Sequence, residues 1–185
     1  MTSKTDLRAR MRVLRRRLAA EAPDAAGRLA SHVPPDLPQA GVVGLYHPVG
    51  SEIDPGGIRI AGAAVALPVA VARNAPLEFR RHAPGDPLVS DAFGILAPTP
   101  AAPRVSPDIV FTPVLAFDRR GGRLGQGAGC YDRTIAELRA ARPVLVIGVA
   151  YAGQELPQVP MEPHDEPLDA ILTETGFLRV ARERR

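Results

Sequence analysis

Apolar residues recur early in the chain at Leu7, Met11, Leu14 and Leu18, spacings of four, three and four that form one stripe of a helix at about 3–20. Ser3 and Thr5 are its candidate N-caps. From Glu21 to Ala40 the chain turns polar and reaches Pro34-Pro35-Asp36-Leu37-Pro38, which permits no more than a further turn or two of helix before a loop. Short apolar runs then begin. Val42-Val43-Gly44-Leu45-Tyr46 reads as a buried strand stopped by Pro48, Ser51 to Pro55 as the start of a short helix, and Ala63 to Pro68 as a second strand, together a βαβ unit. Leu77 to Arg80 alternates as a half-exposed strand, and the Pro-rich stretch to Pro107 reads mostly as loop. Further buried runs are Asp108 to Pro113, Val114 to Phe117, Val144 to Val149 and Ala170 to Thr173, with a helix expected over Asp132 to Ala141. Buried strands alternating with helices predict an α/β fold, a three-layer α/β/α domain with a mostly parallel sheet.

Length fits that picture, since 185 residues build one sizeable core and give a single domain at 1–185. No apolar run approaches the ~20 residues of a membrane span, and the lone Cys130 excludes an internal disulfide. No apolar stretch of signal-peptide type follows the first residues, so the expectation is a cytoplasmic protein that does not engage a membrane. Charge is unevenly placed: residues 1–20 carry seven basic side chains against Asp6 alone, and the remainder is net acidic. A basic segment confined to one helix is a weak nucleic-acid signal, weaker still with 4% aromatics and no RNA-reading motif. Among 23 basic residues Lys4 is the one lysine, a compact charge in a chain that otherwise uses guanidinium.

The most informative stretch runs from Gly121-Gly122-Arg123-Leu124 through Gly125-Gln126-Gly127-Ala128-Gly129 to Cys130-Tyr131-Asp132-Arg133, joining a strand to a helix. Glycine at alternate positions keeps side chains off the backbone, so successive N–H groups and the helix N-terminus can face an anion. This describes a phosphate cradle. It has neither the spacing and lysine of a P-loop nor the third glycine of a dinucleotide fingerprint.

With Leu115-Ala116-Phe117-Asp118 ahead of it, the stretch resembles the 5-formyltetrahydrofolate cyclo-ligases, also called methenyltetrahydrofolate synthetases. Around it, in the order of that family, stand Lys4 and Arg8, Tyr46-His47-Pro48, Ser51-Glu52-Ile53-Asp54, and Gly94 with Pro98. After it come Gly148-Val149-Ala150-Tyr151, Gln154, His164-Asp165, Leu168-Asp169 and Thr173-Glu174. The resemblance implies a monomeric enzyme that uses ATP and Mg2+ to turn 5-formyltetrahydrofolate into 5,10-methenyltetrahydrofolate, with ADP and phosphate released. It implies ATP contacts from Lys4, Arg8, Arg123, Leu124, Gly125, Gln126, Gly127, Ala128, Gly129, Cys130 and Tyr131. The folate is expected at His47, Glu52 and the loop from Gln126 to Cys130, the metal at Asp132 and Asp165, and the catalytic groups are Glu52, Arg123 and Tyr131. Cys130 departs from the pattern, since the family usually has tyrosine there, so a ring contact to ligand is smaller or made elsewhere. A family member with altered activity, and a nucleic-acid-binding protein using the arginine-rich helix, are the competing readings.

Overall fold

A computed structural model of the chain describes residues 3–181; positions 1–2 and 182–185 of the expected 1–185 domain lie outside the described residues. The first helix, α1 (Lys4–Glu21), forms as its stripe predicts, with the Ser3 hydroxyl accepting the Asp6 N–H at its N-terminus. Leu7, Met11 and Leu14 pack on Leu115, Ala116, Leu124 and Val159, while Leu18 joins the main core. A second helix, α2 (Ala25–Ser31), occupies the polar stretch and buries Ala25 and Leu29.

The strands follow as β1 (Val42–Gly44), β2 (Ala64–Ala70), β3 (Leu77–Arg81), β4 (Leu88–Ser90), β5 (Leu96–Pro98), β6 (Ile109–Pro113), β7 (Ala116–Phe117) and β8 (Arg123–Leu124). After β8 come α3 (Cys130–Ala141), β9 (Leu145–Val149), a 3-10 turn (Ala152–Gln154), β10 (Ala170–Thr173) and β11 (Gly176–Arg179). Seven of these strands form one sheet in the order β11-β10-β9-β6-β1-β2-β3. The five inner strands are parallel, and β3 and β11 close the edges antiparallel. Alternation along the inner strands sends Ile109, Phe111, Ile147, Val149 and Leu172 toward α2, and Val110, Val146 and Ile171 toward Ile135 and Leu138 of α3. Burial on both faces explains why the strands read as unbroken apolar runs.

One expectation needs correction, and two elements were not anticipated. The β1–β2 connection contains no helix, because the Asp54 carboxylate caps the Gly56 N–H at 2.7 Å in a local turn and Gly56-Gly57 follows, so the side chains that would cap a helix hold turns instead. The stretch before Pro107 is not all loop: β4 and β5 pair as a hairpin around Asp91, whose Oδ1 accepts the N–H groups of Phe93 and Ile95. The edge strand β11 lies in a run too short to have been assigned.

Asp108 ties the layers together. Its Oδ2 accepts the N–H groups of Gly41 and Val42 at 2.8 and 2.9 Å, and its Oδ1 accepts from Arg142 at the end of α3. From β1 the chain steps one way to β2, and from β6 the other way to β9 and β10. The carboxyl ends of β1 and β6 therefore flank a switch point, where ligands bind in open α/β sheets.

Candidate functional site

A cleft of about 530 Å³ opens at that switch point, lined by Tyr46 beyond β1, Ala70 ending β2, Pro113 ending β6 and the glycine loop between β8 and α3. In the loop, Gly127 has φ +107° and Gly129 has φ +66°, conformations that disfavour any residue with a Cβ. Three guanidinium groups hold the loop's carbonyls. Arg8 Nε donates to Gly125 O at 3.0 Å, Arg12 Nη2 to Gln126 O at 3.4 Å, and Arg133 Nη2 to Ala128 O at 2.6 Å. Arg8 also lies 3.3 Å from where a Cβ on Gly127 would stand, so glycine is needed there for space as well as for φ. The backbone N–H groups from Gly125 through Asp132 have no acceptor among the described residues. Carbonyls engaged and amides unpaired make a set of donors for an anion, with the start of α3 adding its dipole.

Charged side chains gather around these amides. Arg123, 4% exposed at its side chain, donates to Asp132 and to Glu166 O. Burial pulls its guanidinium below the ordinary value, opposed by the charges of Asp132 and Asp165. Asp132 Oδ1 also accepts the Glu166 N–H at 3.1 Å. Lys4 Nζ sits 2.7 Å from Asp165 Oδ2 and 3.1 Å from Glu162 Oε2. Desolvation works against the lysine's charge, but the bonds to Asp165 and Glu162 outweigh it and raise its pKa; burial likewise works against the Asp165 carboxylate, but the Lys4 ammonium and the Glu162 N–H outweigh it and hold Asp165 below the usual carboxylate range. Glu162, His164 and Asp165 each offer a ligand atom within 4.8 Å of the others. Asp132 stands outside that group.

At the other end of the cleft, Glu52 is held on both oxygens, Oε1 by Arg15 Nη1 at 3.1 Å and Oε2 by the Val49 N–H at 3.0 Å. His47 lines the same wall. Tyr46 Oη donates to Ile53 O at 2.6 Å, whereas the buried Tyr131 hydroxyl makes no hydrogen bond of ordinary geometry and has the Thr112 hydroxyl, likewise unbonded, as its side-chain neighbour. Burial, and then the nearby Glu52 charge, push the Tyr131 phenol well above its ordinary value, so it is a donor in this site. Cys130 is 8% exposed with Sγ 3.6 Å from Arg73 O.

A model of the 5-formyltetrahydrofolate cyclo-ligase family matches residues 1–174. The chain belongs to the 5-formyltetrahydrofolate cyclo-ligase family. As a cyclo-ligase it is an enzyme of the ring-closing ligase class. It is 41% identical over 144 residues to the 5-formyltetrahydrofolate cyclo-ligase of Mycolicibacterium smegmatis, an alignment spanning 69% of this chain and 71% of that one. The Haemophilus influenzae protein of the same name is 40% identical over 100 residues, 52% of this chain and 53% of that one. The NMR structure of the 5,10-methenyltetrahydrofolate synthetase from Aquifex aeolicus superposes with TM-score 0.73 at 29% identity, covering 98% of this chain and 95% of that chain. A 5,10-methenyltetrahydrofolate synthetase from Mycoplasma pneumoniae shares the fold at 20% identity, with TM-score 0.72, 94% of this chain and 99% of that chain covered.

The cyclo-ligase cleft brings together every residue the sequence nominated: Lys4, Arg8, His47, Glu52, the loop from Arg123 to Asp132, and Asp165. Other motif residues turn out to be supports. Gln154 is fully buried and bonds Val114 O, Leu115 O and the Tyr151 N–H, Asp118 accepts from Arg120, Gly122 and Val159 N–H groups, and Glu174 accepts the Ala152 N–H. Sequence reasoning missed the β4–β5 hairpin, whose Phe93 and Ile95 form one wall, and it missed Glu162 and Arg15. Arg15 carried a signal: it stands four residues after Met11 and three before Leu18, on the buried stripe of the helix. Of the basic side chains on this helix, Lys4, Arg8, Arg12 and Arg15 bond to distant parts of the molecule, while Arg10, Arg16 and Arg17 are exposed. No helix among the described residues is long and apolar enough to cross a membrane.

Proposed function

We propose that this cyclo-ligase converts 5-formyltetrahydrofolate to 5,10-methenyltetrahydrofolate, using ATP and releasing ADP and phosphate. The observation that carries the reading is the run of unpartnered amides in the Gly125 to Asp132 loop, opening into the cleft that also holds Glu52. Phosphate groups are the natural acceptors for those donors. Lys4 and Arg8 flank them, Arg123 lies against the transferring phosphoryl group, and Glu52 with His47 takes the folate heterocycle.

The chemistry follows from the leaving group. An N-formyl oxygen departs poorly, so its lone pair first attacks the γ-phosphorus and displaces ADP. N10 then adds to the activated carbon, closing the ring as its N–H proton is lost. Phosphate leaves with the C–O bonding pair, and the N5 lone pair forms the C=N bond of the methenyl product. The protein's part is to align these atoms and to stabilise phosphoryl charge, for which Arg123 and the Tyr131 hydroxyl are the buried donors.

Mg2+ fits the anionic corner of the cleft. The Lys4 ammonium already stands between Glu162 and Asp165, a cation held by carboxylate oxygens, the ligand type magnesium prefers. Asp165, with Glu162 beside it, would hold the ion, which when bound neutralises phosphate oxygens; Asp132, the other carboxylate the resemblance points to, would join only with its Oδ2, since its Oδ1 is taken by Arg123 and the Glu166 N–H. Purified protein mixed with ATP, Mg2+ and 5-formyltetrahydrofolate should yield methenyl absorbance together with stoichiometric ADP. ATP left intact beside unchanged folate would overturn the reading.

A further inference from the structure

We infer that Arg15 is the positioning residue for Glu52, fixing that carboxylate as an acceptor for N–H donors of the substrate's heterocycle; the inference rests on the folate reading above. The arginine has an odd place in the molecule. It lies on the apolar stripe of α1 with its side chain 8% exposed, and Glu52 opposite it is 7% exposed. Nε donates to Ser51 Oγ at 3.1 Å and Nη1 to Glu52 Oε1 at 3.1 Å, so one planar fork grips two consecutive residues. Glu52 Oε2 is taken by the Val49 N–H. Both carboxylate oxygens are thus fixed in direction, and each keeps a lone pair for a ligand in the cleft that Glu52 lines.

The need for such a grip comes from the backbone. Between β1 and β2 the chain has no helix, and the one backbone bond made by Glu52 N–H reaches Val49 O at a long 3.3 Å. A carboxylate on that segment, left alone, would sample many orientations and would turn toward water. A guanidinium supplies a rigid, permanently charged partner from a helix, which is the more precise kind of support for a binding group. Stability does not account for the arrangement. Buried ion pairs contribute little net stability compared with apolar packing, and α1 is already anchored by Met11, by its leucines and by the bonds of Lys4 and Arg8.

One helix thereby serves both ends of the cleft. Its first turns face the amides and the acidic corner, and Arg15, nearly two turns beyond Arg8, serves the heterocycle end. Changes at Arg15 should therefore separate the two ligands.

The test measures equilibrium binding of 5-formyltetrahydrofolate and of ATP separately, with kcat and both Michaelis constants, in Arg15→Lys, Glu52→Gln, and Arg15→Met combined with Glu52→Gln. The double variant removes both charges and guards against misfolding from an unpaired buried carboxylate. Folate affinity should fall tenfold or more in all three, with ATP affinity within about twofold of the unaltered protein. Arg15→Lys keeps the charge but cannot bridge Ser51 and Glu52, so it should still bind folate poorly. Unchanged folate affinity in Arg15→Lys and in the double variant, or an equal loss of both ligands, overturns the assignment. If the unaltered protein binds ATP but no folate, the functional reading falls and this inference falls with it.

Discussion

Lys4 is the residue whose chemistry is most exposed to test. In the ligand-free protein its ammonium joins Asp165 and Glu162, so phosphate must compete with those carboxylates for it. Lys4→Ala removes one charge-assisted bond to phosphate, a loss of about 1.5 to 3 kcal/mol, or roughly 10- to 100-fold in the Michaelis constant for ATP. The melting temperature should move little, because the first turn of a helix is rarely a stability hot spot. Cys130 offers a second case. The family resemblance leads one to expect tyrosine here, and the structure shows the cysteine sulfur packed against the Arg73 carbonyl in a nearly closed site. Cys130→Tyr should therefore destabilise the fold by about 1 to 3 kcal/mol through overpacking, measured by denaturant titration, instead of simply restoring a ring contact.

Between elements, Asp108 joins β1, β6 and α3 through bonds that favour its charged form. The Val42 N–H lowers its pKa most, burial opposes, and the Gly41 N–H and Arg142 add to the lowering. A carboxyl whose folded pKa lies below its unfolded value of about 4 contributes stability that is fully present above that value and lost progressively as pH falls below it and through the lowered folded pKa. Unfolding curves from pH 6 down to pH 3 should show declining stability, and Asp108→Ala should start about 1 to 3 kcal/mol lower with a shallower decline. At this scale the sequence was informative where burial is two-sided. The runs over β1, β2, β6, β9 and β10 are apolar because helices cover both sheet faces, and apolar runs survive without any tertiary information. The crossover after β1 misled because Ser51, Glu52 and Asp54 are the residue types that cap helices and equally the types that make turns; their partners Arg15, Val49 and Gly56 decide which. The β4–β5 hairpin escaped because Asp91, not an apolar pattern, organises it. Site residues close to the glycine loop were legible from the motif itself. Glu162 was not, and Arg15 showed only its place on the buried stripe and not its partner, because their roles exist only once distant segments meet.

For the molecule as a whole, the unpartnered amides amount to binding capacity that folding alone leaves unused. Filling them should stabilise the folded state: at ATP one hundred times its dissociation constant the gain is about 2.7 kcal/mol, which raises the melting temperature of a chain this size by about 5 to 10 °C. Inorganic phosphate should give a smaller rise, and RNA of equal charge none. A thermal scan with each ligand checks all three outcomes.

Lys4 and Asp165 are separated by 161 residues in the chain and Arg8 and Gly125 by 117, yet both pairs bond in the cleft. Contacts of such long sequence separation close late, since their loop entropy is offset only after the intervening sheet exists. During synthesis the first helix is made long before its acidic partners, and must wait as an undocked basic segment while the strands assemble. This order predicts that ligand-binding competence is the final event of folding. In a refolding experiment, nucleotide binding should appear after β-sheet ellipticity has already recovered.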